Sequence, residues 1–163
     1  MSASQKPHSI RTFTFKNNST WKTLANNFIS SQHVQKNLPA LEYGLKYEKI
    51  ALLAYIKMFN VKVISVGVVV MPDKPHICAS ADGIVVEDGC ADRVLEIKNP
   101  SSCSKKPVFD KDTSKFNVTY LEKVDKITKL RTSNIYFTQC QMIMYVCGLL
   151  ECDLFVWSPV KKW

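Results

Sequence analysis

What this chain of 163 residues lacks sets its outer limits. It has no apolar run approaching the roughly 20 consecutive residues that a membrane span requires. Its first residues, MSASQKPHSIRTFTFKNNST, contain no apolar h-region, so this segment does not read as a secretory signal. Cysteine occurs six times, at Cys78, Cys90, Cys103, Cys140, Cys147 and Cys152, yet never as CxxC and never in a zinc-type Cys/His spacing. His76 and Cys78, two apart on a predicted strand, are only a weak metal signal. With no export signal, reduced thiols in an intracellular compartment, nucleus or cytoplasm, are the simplest reading. No internal repeat and no second domain are visible.

Acid is also in short supply. Asp and Glu total 14 against 22 Lys and Arg, a net charge of +8. Such an excess favours a polyanionic partner, nucleic acid before an anionic membrane. A basic protein with no such partner remains the alternative on charge alone. Otherwise the composition is that of a globular domain, with 46% hydrophobic and 22% charged residues, and the length suffices for one core.

Along the chain, residues 1–18 read as a polar arm with one short strand around Thr12–Phe15. Ser19 or Thr20 can cap a helix running to about Gln35, in a segment closed by Pro39. Helical periodicity covers Leu41 to Phe59. VKVISVGVVVMP reads as one buried strand ending at Pro72. HICASADGIVVEDG predicts a strand, a turn at Asp82-Gly83 and a second strand, with a hairpin turn at Asp88-Gly89. RVLEIKN is the returning strand. Residues 99–117 read as a mobile loop. NVTYLEKVDKITKL is either a short helix or irregular. NIYFTQCQMIMYVCGLL is helical with Gly148 as C-cap, and CDLFVWSP is a final strand stopped by Pro159. The order predicts an α/β or α+β fold around one mixed sheet.

Several polar residues sit where this pattern calls for apolar ones. Alternation along a strand puts Val94, Glu96 and Lys98 on one face and Leu95 and Ile97 on the other. An acid and an amine side by side are either a solvated ion pair or part of a site. Leu45, Leu52 and Tyr55 lie three before, four after and seven after Glu48, which points this acid into an apolar stripe. An unpaired carboxylate there is expensive and needs a cation, a base or water. Gln139 shares a face with Tyr136, Met142, Ile143 and Val146. Asp82 opens the hairpin whose second strand carries Glu96, so the two acids can be neighbours on paired strands. Two adjoining carboxylates repel unless a cation joins them, and hard oxygen ligands select Mg²⁺ or Mn²⁺. Taken alone, Asp82 reads first as a turn aspartate before glycine.

The pieces SADG, LEIKNP, YFTQCQ and CDLFVWSP, in that order and preceded by Gly44…Glu48 on a helix, resemble the YqaJ/phage lambda exonuclease family of viral recombinases, a branch of the PD-(D/E)XK nucleases. The resemblance runs from about Leu41 to Pro159. It implies a restriction-endonuclease-like core, a mixed central β-sheet flanked by helices, in one nuclease domain over residues 19–163 after the arm 1–18. It further implies a Mg²⁺-dependent deoxyribonuclease, with Mn²⁺ as substitute, of the 5′–3′ alkaline exonuclease type. The alternative is a catalytically inactive DNA-binding relative. Asp82, Glu96 and the carbonyl of Ile97 would bind metal, with Glu48 as an additional acid. Lys98 would handle the attacking water, and Gln139 would orient the site with Tyr136 beside it. Lys105, Lys106, Lys126, Lys129, Arg131, Tyr136 and Gln141 are candidate DNA contacts, with Gln141 also second to Gln139 in orienting the site. Ring-shaped trimers and a single-strand annealing protein are the partners that the likeness implies. Ala81 and Asn99 depart from the family pattern outside the chemistry. The chain stops at Trp163, and Arg11 is the only arginine before Arg93, so it reads as a minimal or truncated relative.

Overall fold

The structure, a computed structural model, describes residues 39–160 with the exception of 126. The predicted arm, its short strand, the predicted helix from Ser19 or Thr20 to Gln35, and Lys126 lie outside the described residues.

Helix α1 spans Pro39–Phe59. Pro39 therefore opens this helix rather than closing the segment before it. At a helix's first position the missing N–H costs nothing and the fixed φ is already helical. Glu42 in the first turn and Lys57 in the last complement the helix dipole, and Asn60 leaves the helix at φ 53°.

The apolar run 61–71 does not form one buried strand. It divides into β1 (Lys62–Ile64) and β2 (Val68–Met71), and both alternate between exposed and half-buried residues. A continuous buried strand needs cover on both faces. Here β1 is the edge of the main sheet, whereas β2 turns at Pro72 and Asp73 into β3 (Lys74–Ser80) as a separate two-stranded ribbon.

After β3 the chain crosses through Ala81 and Asp82 into β4 (Gly83–Glu87), then turns into β5 (Cys90–Lys98). Asp88 at φ 51° and Gly89 at φ 81° supply the two positive φ values that a tight hairpin turn requires. Gly83 is needed for a different reason: a Cβ there would lie 2.5 Å from Val63 Cγ1 on the neighbouring strand β1.

Residues 99–117 are tied into the fold rather than forming a free loop. A short 3₁₀ turn at Ser101–Cys103 buries Cys103, and a two-residue ladder joins β6 (Phe109–Asp110) to β7 (Lys115–Phe116). Residues 121–130 are neither helical nor irregular but a hairpin, β8 (Leu121–Val124) and β9 (Ile127–Leu130). Val118, Tyr120 and Leu121 pack with Cys103 into one apolar cluster, and that burial selects the extended form. Helix α2 (Ile135–Cys147) follows, with the Asn134 side chain accepting from Tyr136 N–H at 3.0 Å and Gly148 closing it in the left-handed region. Strand β10 (Cys152–Val156) ends the described fold.

The main sheet has the order β1-β4-β5-β10, antiparallel except for the parallel pair of β5 and β10, so it is mixed as predicted. Helix α1 covers the face of Val85, Leu95 and Ile97 with Ala51 and Tyr55. Helix α2 covers the opposite face, setting Ile143 against Ala81, Ile84 and Val94, and it also packs on the β2/β3 ribbon. Val94 and Leu95 are each fully buried, and each such side chain contributes about 1.5–3 kcal/mol. Strand β5 is thus clamped from both faces, the rigid support its polar residues need. No helix among the described residues is long and apolar enough to cross a membrane.

Candidate active site

Glu96 is the one charged side chain among the described residues buried with the core, at 2% exposure. Strand alternation turns it and Lys98 toward the α2 side, while Leu95 and Ile97 enter the α1 core. Lys98 Nζ donates to Glu96 Oε1 at 2.6 Å, and Gln139 Nε2 donates to the same oxygen, also at 2.6 Å. The other oxygen, Oε2, is buried with no hydrogen-bond partner among the described residues. Burial holds the Glu96 carboxyl above the usual carboxylate range; Lys98 pulls it down, and the charges of Asp82 and Glu48 push it up again.

Asp82 stands beside Glu96 as the hairpin geometry predicts. The register pairs Gly83 with Leu95, which sets Asp82 one step further along, across from Glu96. There its Oδ2 accepts the backbone N–H of Ile97 at 2.6 Å. That bond anchors the acid to β5 just where the chain leaves the β2/β3 ribbon for the main sheet.

Tyr136 joins the group from the first turn of α2. Its ring lies 4.6 Å below Lys98 Nζ, a cation–π contact, and meets Tyr120 edge-on at 4.9 Å. Lys98 is therefore held between a carboxylate and an aromatic face.

Glu48 needs correction. The buried stripe of α1 is Ala51 and Tyr55 with Leu52 beside them, whereas Leu45 is 64% exposed and Glu48 itself is exposed. Water solvates this acid, so the burial argument for it falls away. It nevertheless lies in line with Ala51 and Tyr55, and its charge reaches Glu96. Because α1 packs on the Leu95/Ile97 face, Glu48 does not project from the helix that covers Glu96. Met142 is 46% exposed and leaves the face that Gln139 shares with Tyr136, Ile143 and Val146.

Apart from Tyr136, the described residues predicted to contact DNA lie at the surface. Lys105, Lys106, Lys129, Arg131 and Gln141 are all exposed. Arg131 pairs with Glu122 at 3.6 Å, which offsets part of its charge.

Asn99, which the sequence pattern places outside the chemistry, ties β5 to α1. Its Nδ2 donates to Gly44 O at 3.1 Å, fastening the end of the Glu96 strand to the turn of α1 before Glu48. An amide directly after LEIK and before a proline was the available signal. Tyr120, which backs Tyr136, had none, because its segment read as helix or irregular. Cys140, next to Gln139 in the chain, interacts with Cys152; that interaction and burial push the Cys152 thiol up. All six cysteines are free.

Among the described residues, no three His, Cys, Asp or Glu side chains gather into a metal-binding cluster. The donor chemistry nonetheless suits a small divalent cation. Glu96 presents a buried oxygen with no partner, in the field of two further acids. Hard carboxylate oxygens are what Mg²⁺ and Mn²⁺ take, usually keeping several waters, so a two-acid site is sufficient.

The chain matches the YqaJ-like viral recombinase domain family over residues 3–149. Its fold is similar to the crystal structure of an alkaline exonuclease (LHK-Exo) from Laribacter hongkongensis, with a TM-score of 0.54 at 21% identity, covering 90% of this chain and 64% of that one. The same exonuclease in complex with dAMP matches with a TM-score of 0.53 at 21% identity, covering 88% of this chain and 64% of that one. The chain thus spans under two thirds of the length of the exonuclease it matches. No curated protein sequence matches it.

Proposed function

The chain belongs to the YqaJ-like viral recombinase domain family, and from that premise we propose that it is a divalent-metal-dependent deoxyribonuclease, an exonuclease working 5′ to 3′. The observation that carries the reading is the Glu96 carboxylate, buried with Oε1 doubly engaged and Oε2 bare. A purely structural ion pair would be expected to satisfy both oxygens, since an orphaned buried carboxylate oxygen costs free energy. The names of the structural relatives, an alkaline exonuclease alone and with dAMP, support DNA as the substrate.

Asp82 and Glu96 would hold Mg²⁺, or Mn²⁺ in its place, aided by the Ile97 carbonyl and by Glu48 directly or through water. When bound, such an ion polarises the scissile phosphate and steadies the leaving oxygen. Gln139 keeps Glu96 Oε1 occupied, so that Oε2 is the oxygen left for the ion. Lys98, steadied by Tyr136, orients the attacking water and offsets charge developing on the phosphate. Lys105, Lys106, Lys129 and Arg131 serve as phosphate contacts without reading sequence. Assembly of three copies into a ring and a separate annealing protein belong to the same proposal.

One observation favours a second reading, a DNA-binding relative without catalysis: the described acids do not form a three-donor cluster. Cleavage of end-labelled linear duplex and of closed circular DNA, with Mg²⁺, Mn²⁺ or EDTA and beside Lys98→Ala, separates the two. Metal-dependent loss of linear DNA alone, abolished in Lys98→Ala, is the expected result. Nicking of circles would make the enzyme an endonuclease. Absence of cleavage, or cleavage indifferent to Lys98→Ala, would favour the second reading.

A further inference from the structure

A trough of about 1560 Å³ runs along the outer edge of β10. Small-molecule pockets are usually about 300–1,000 Å³, so its size suits part of a polymer. β10 is the last strand of the main sheet, and its outer edge pairs with no described strand. We propose that this trough binds a single strand of DNA, at a subsite separate from the carboxylates. The inference rests on the nuclease reading and adds to it the place where unpaired DNA is held.

Charge is the first argument. Lys57, Lys111, Lys123 and Lys129 line the trough, and among the described residues no Asp or Glu does. A polypeptide strand added to this edge of β10 would satisfy backbone groups, but unlike a phosphate backbone it brings no anion at every repeat to meet these four ammonium groups. A polyanion meets both the shape and the charge.

The floor is the second argument. Phe59, Phe109, Phe155 and Trp157 line it together with the lysines. Lys123 Nζ sits 5.1 Å over the Phe109 ring, and Phe109 packs on Phe116 at 5.0 Å between centroids. Interleaved aromatic faces and lysines are how single strands are held: bases stack on the rings and phosphates meet the cations. A duplex keeps its bases stacked inside and cannot use such a floor, which selects the unpaired strand.

Position is the third. Leu154 lines the trough and is the register partner of Glu96, and neighbouring strands lie about 4.8 Å apart. Helix α2 serves both places, with Gln139 on Glu96 and Gln141 on the trough. A strand lying in the trough therefore runs alongside the carboxylates.

The test is fluorescence anisotropy of a labelled oligothymidylate titrated with the full chain in EDTA, so that no cleavage intervenes, with cleavage of linear duplex in Mg²⁺ measured separately. Phe109→Leu, which keeps apolar bulk but loses the ring, is expected to weaken binding about tenfold. Lys111→Ala/Lys123→Ala is expected to lower the slope of log K against log salt by about 1.4. Lys62→Ala, on the opposite sheet edge, should leave the affinity of the trough unchanged in low salt. Unaltered binding in the Phe109 and lysine variants overturns the trough site and leaves the nuclease reading standing if cleavage persists. Binding lost in those variants without any cleavage in the parent chain upholds the trough and overturns the nuclease reading. A parent chain that does not bind the oligonucleotide, or that light scattering shows to be a dimer dissociated by Phe109→Leu, assigns the trough to a polypeptide and overturns the proposal.

Discussion

Gln139 and Glu96, 43 positions apart, meet through a 2.6 Å hydrogen bond from the amide Nε2 to carboxylate Oε1. Lys98 reaches the same oxygen from two residues away. One acid oxygen thus carries both a neutral and a charged donor, and its twin carries none among the described residues. Removing the amide by Gln139→Ala frees Glu96 to turn and lets Oε1 compete for the ion. The expected result is a loss of about 10–100-fold in metal affinity or activity, the usual cost of deleting a residue that positions a metal ligand. A titration of Mn²⁺ by calorimetry, beside the cleavage rate, checks it. Gln139→Glu, which retains the shape but adds a second buried acid beside Glu96, should be worse than Gln139→Ala at high pH.

The raised proton affinity of Glu96 gives the fold a definite pH response. Burial makes the folded state hold this proton more tightly than the unfolded chain does. The folded state therefore gains from protonation, and its stability falls as pH rises from the ordinary carboxylate range through the raised value. Glu96→Gln removes that liability. In EDTA, melting curves of the parent and of Glu96→Gln should diverge as pH rises, with the variant gaining relative to the parent. Adding Mg²⁺ should reverse the order for the parent alone, by about 2.7 kcal/mol once the ion reaches 100 times its Kd. Curves that stay parallel across pH would count against a desolvated Glu96.

On the α1 face, Asp153 ties three elements together. Its Oδ2 accepts from the Tyr55 hydroxyl and from Arg93 Nε at 2.8 Å. Burial, helped by Asp153, pushes the Tyr55 phenol up to about 12, so it stays a donor throughout the working range. Asp153→Ala leaves that buried hydroxyl without its acceptor. The expected cost is about 1–3 kcal/mol, read as a lower urea midpoint. Tyr55→Phe combined with Asp153→Ala should cost less than the sum of the two single changes, because each removes the same bond.

Gly83 is required by the strand beside it. A methyl group there would meet Val63 Cγ1 at 2.5 Å, and valine is too stiff to swing aside. Gly83→Ala should destabilise the fold by about 1–3 kcal/mol and disturb Asp82 next to it. Val63→Ala in the same chain should recover part of the Tm. Gly44→Ala, at a helical glycine with open space around its Cβ position, should not destabilise.

Local pattern was enough for part of this protein. The helical segments α1 and α2, the Asp88-Gly89 turn and a strand within CDLFVWSP all follow from spacing of apolar residues and from turn chemistry, and the structure carries them with shifted ends. The same short-range geometry put Glu96 and Lys98 on one strand face and Asp82 opposite Glu96, because strand alternation and hairpin register leave little freedom. Tertiary packing decided the rest. Whether 121–130 became a hairpin depended on Cys103 and Val118 arriving to cover Tyr120 and Leu121. Whether 61–71 was one strand depended on which partners each half found, β4 for one and β3 for the other. The apolar helical neighbours of Glu48 predict burial, but burial is a property of what packs against a face, and among the described residues none covers that end of α1 closely enough to exclude water from the acid. The convergence of Gln139 on Glu96, the bare Oε2 and the lysine-rimmed trough required α2, β5 and β10 to be stacked together first. Periodicity along a chain specifies which side chains share a face; only the folded contacts specify what that face meets.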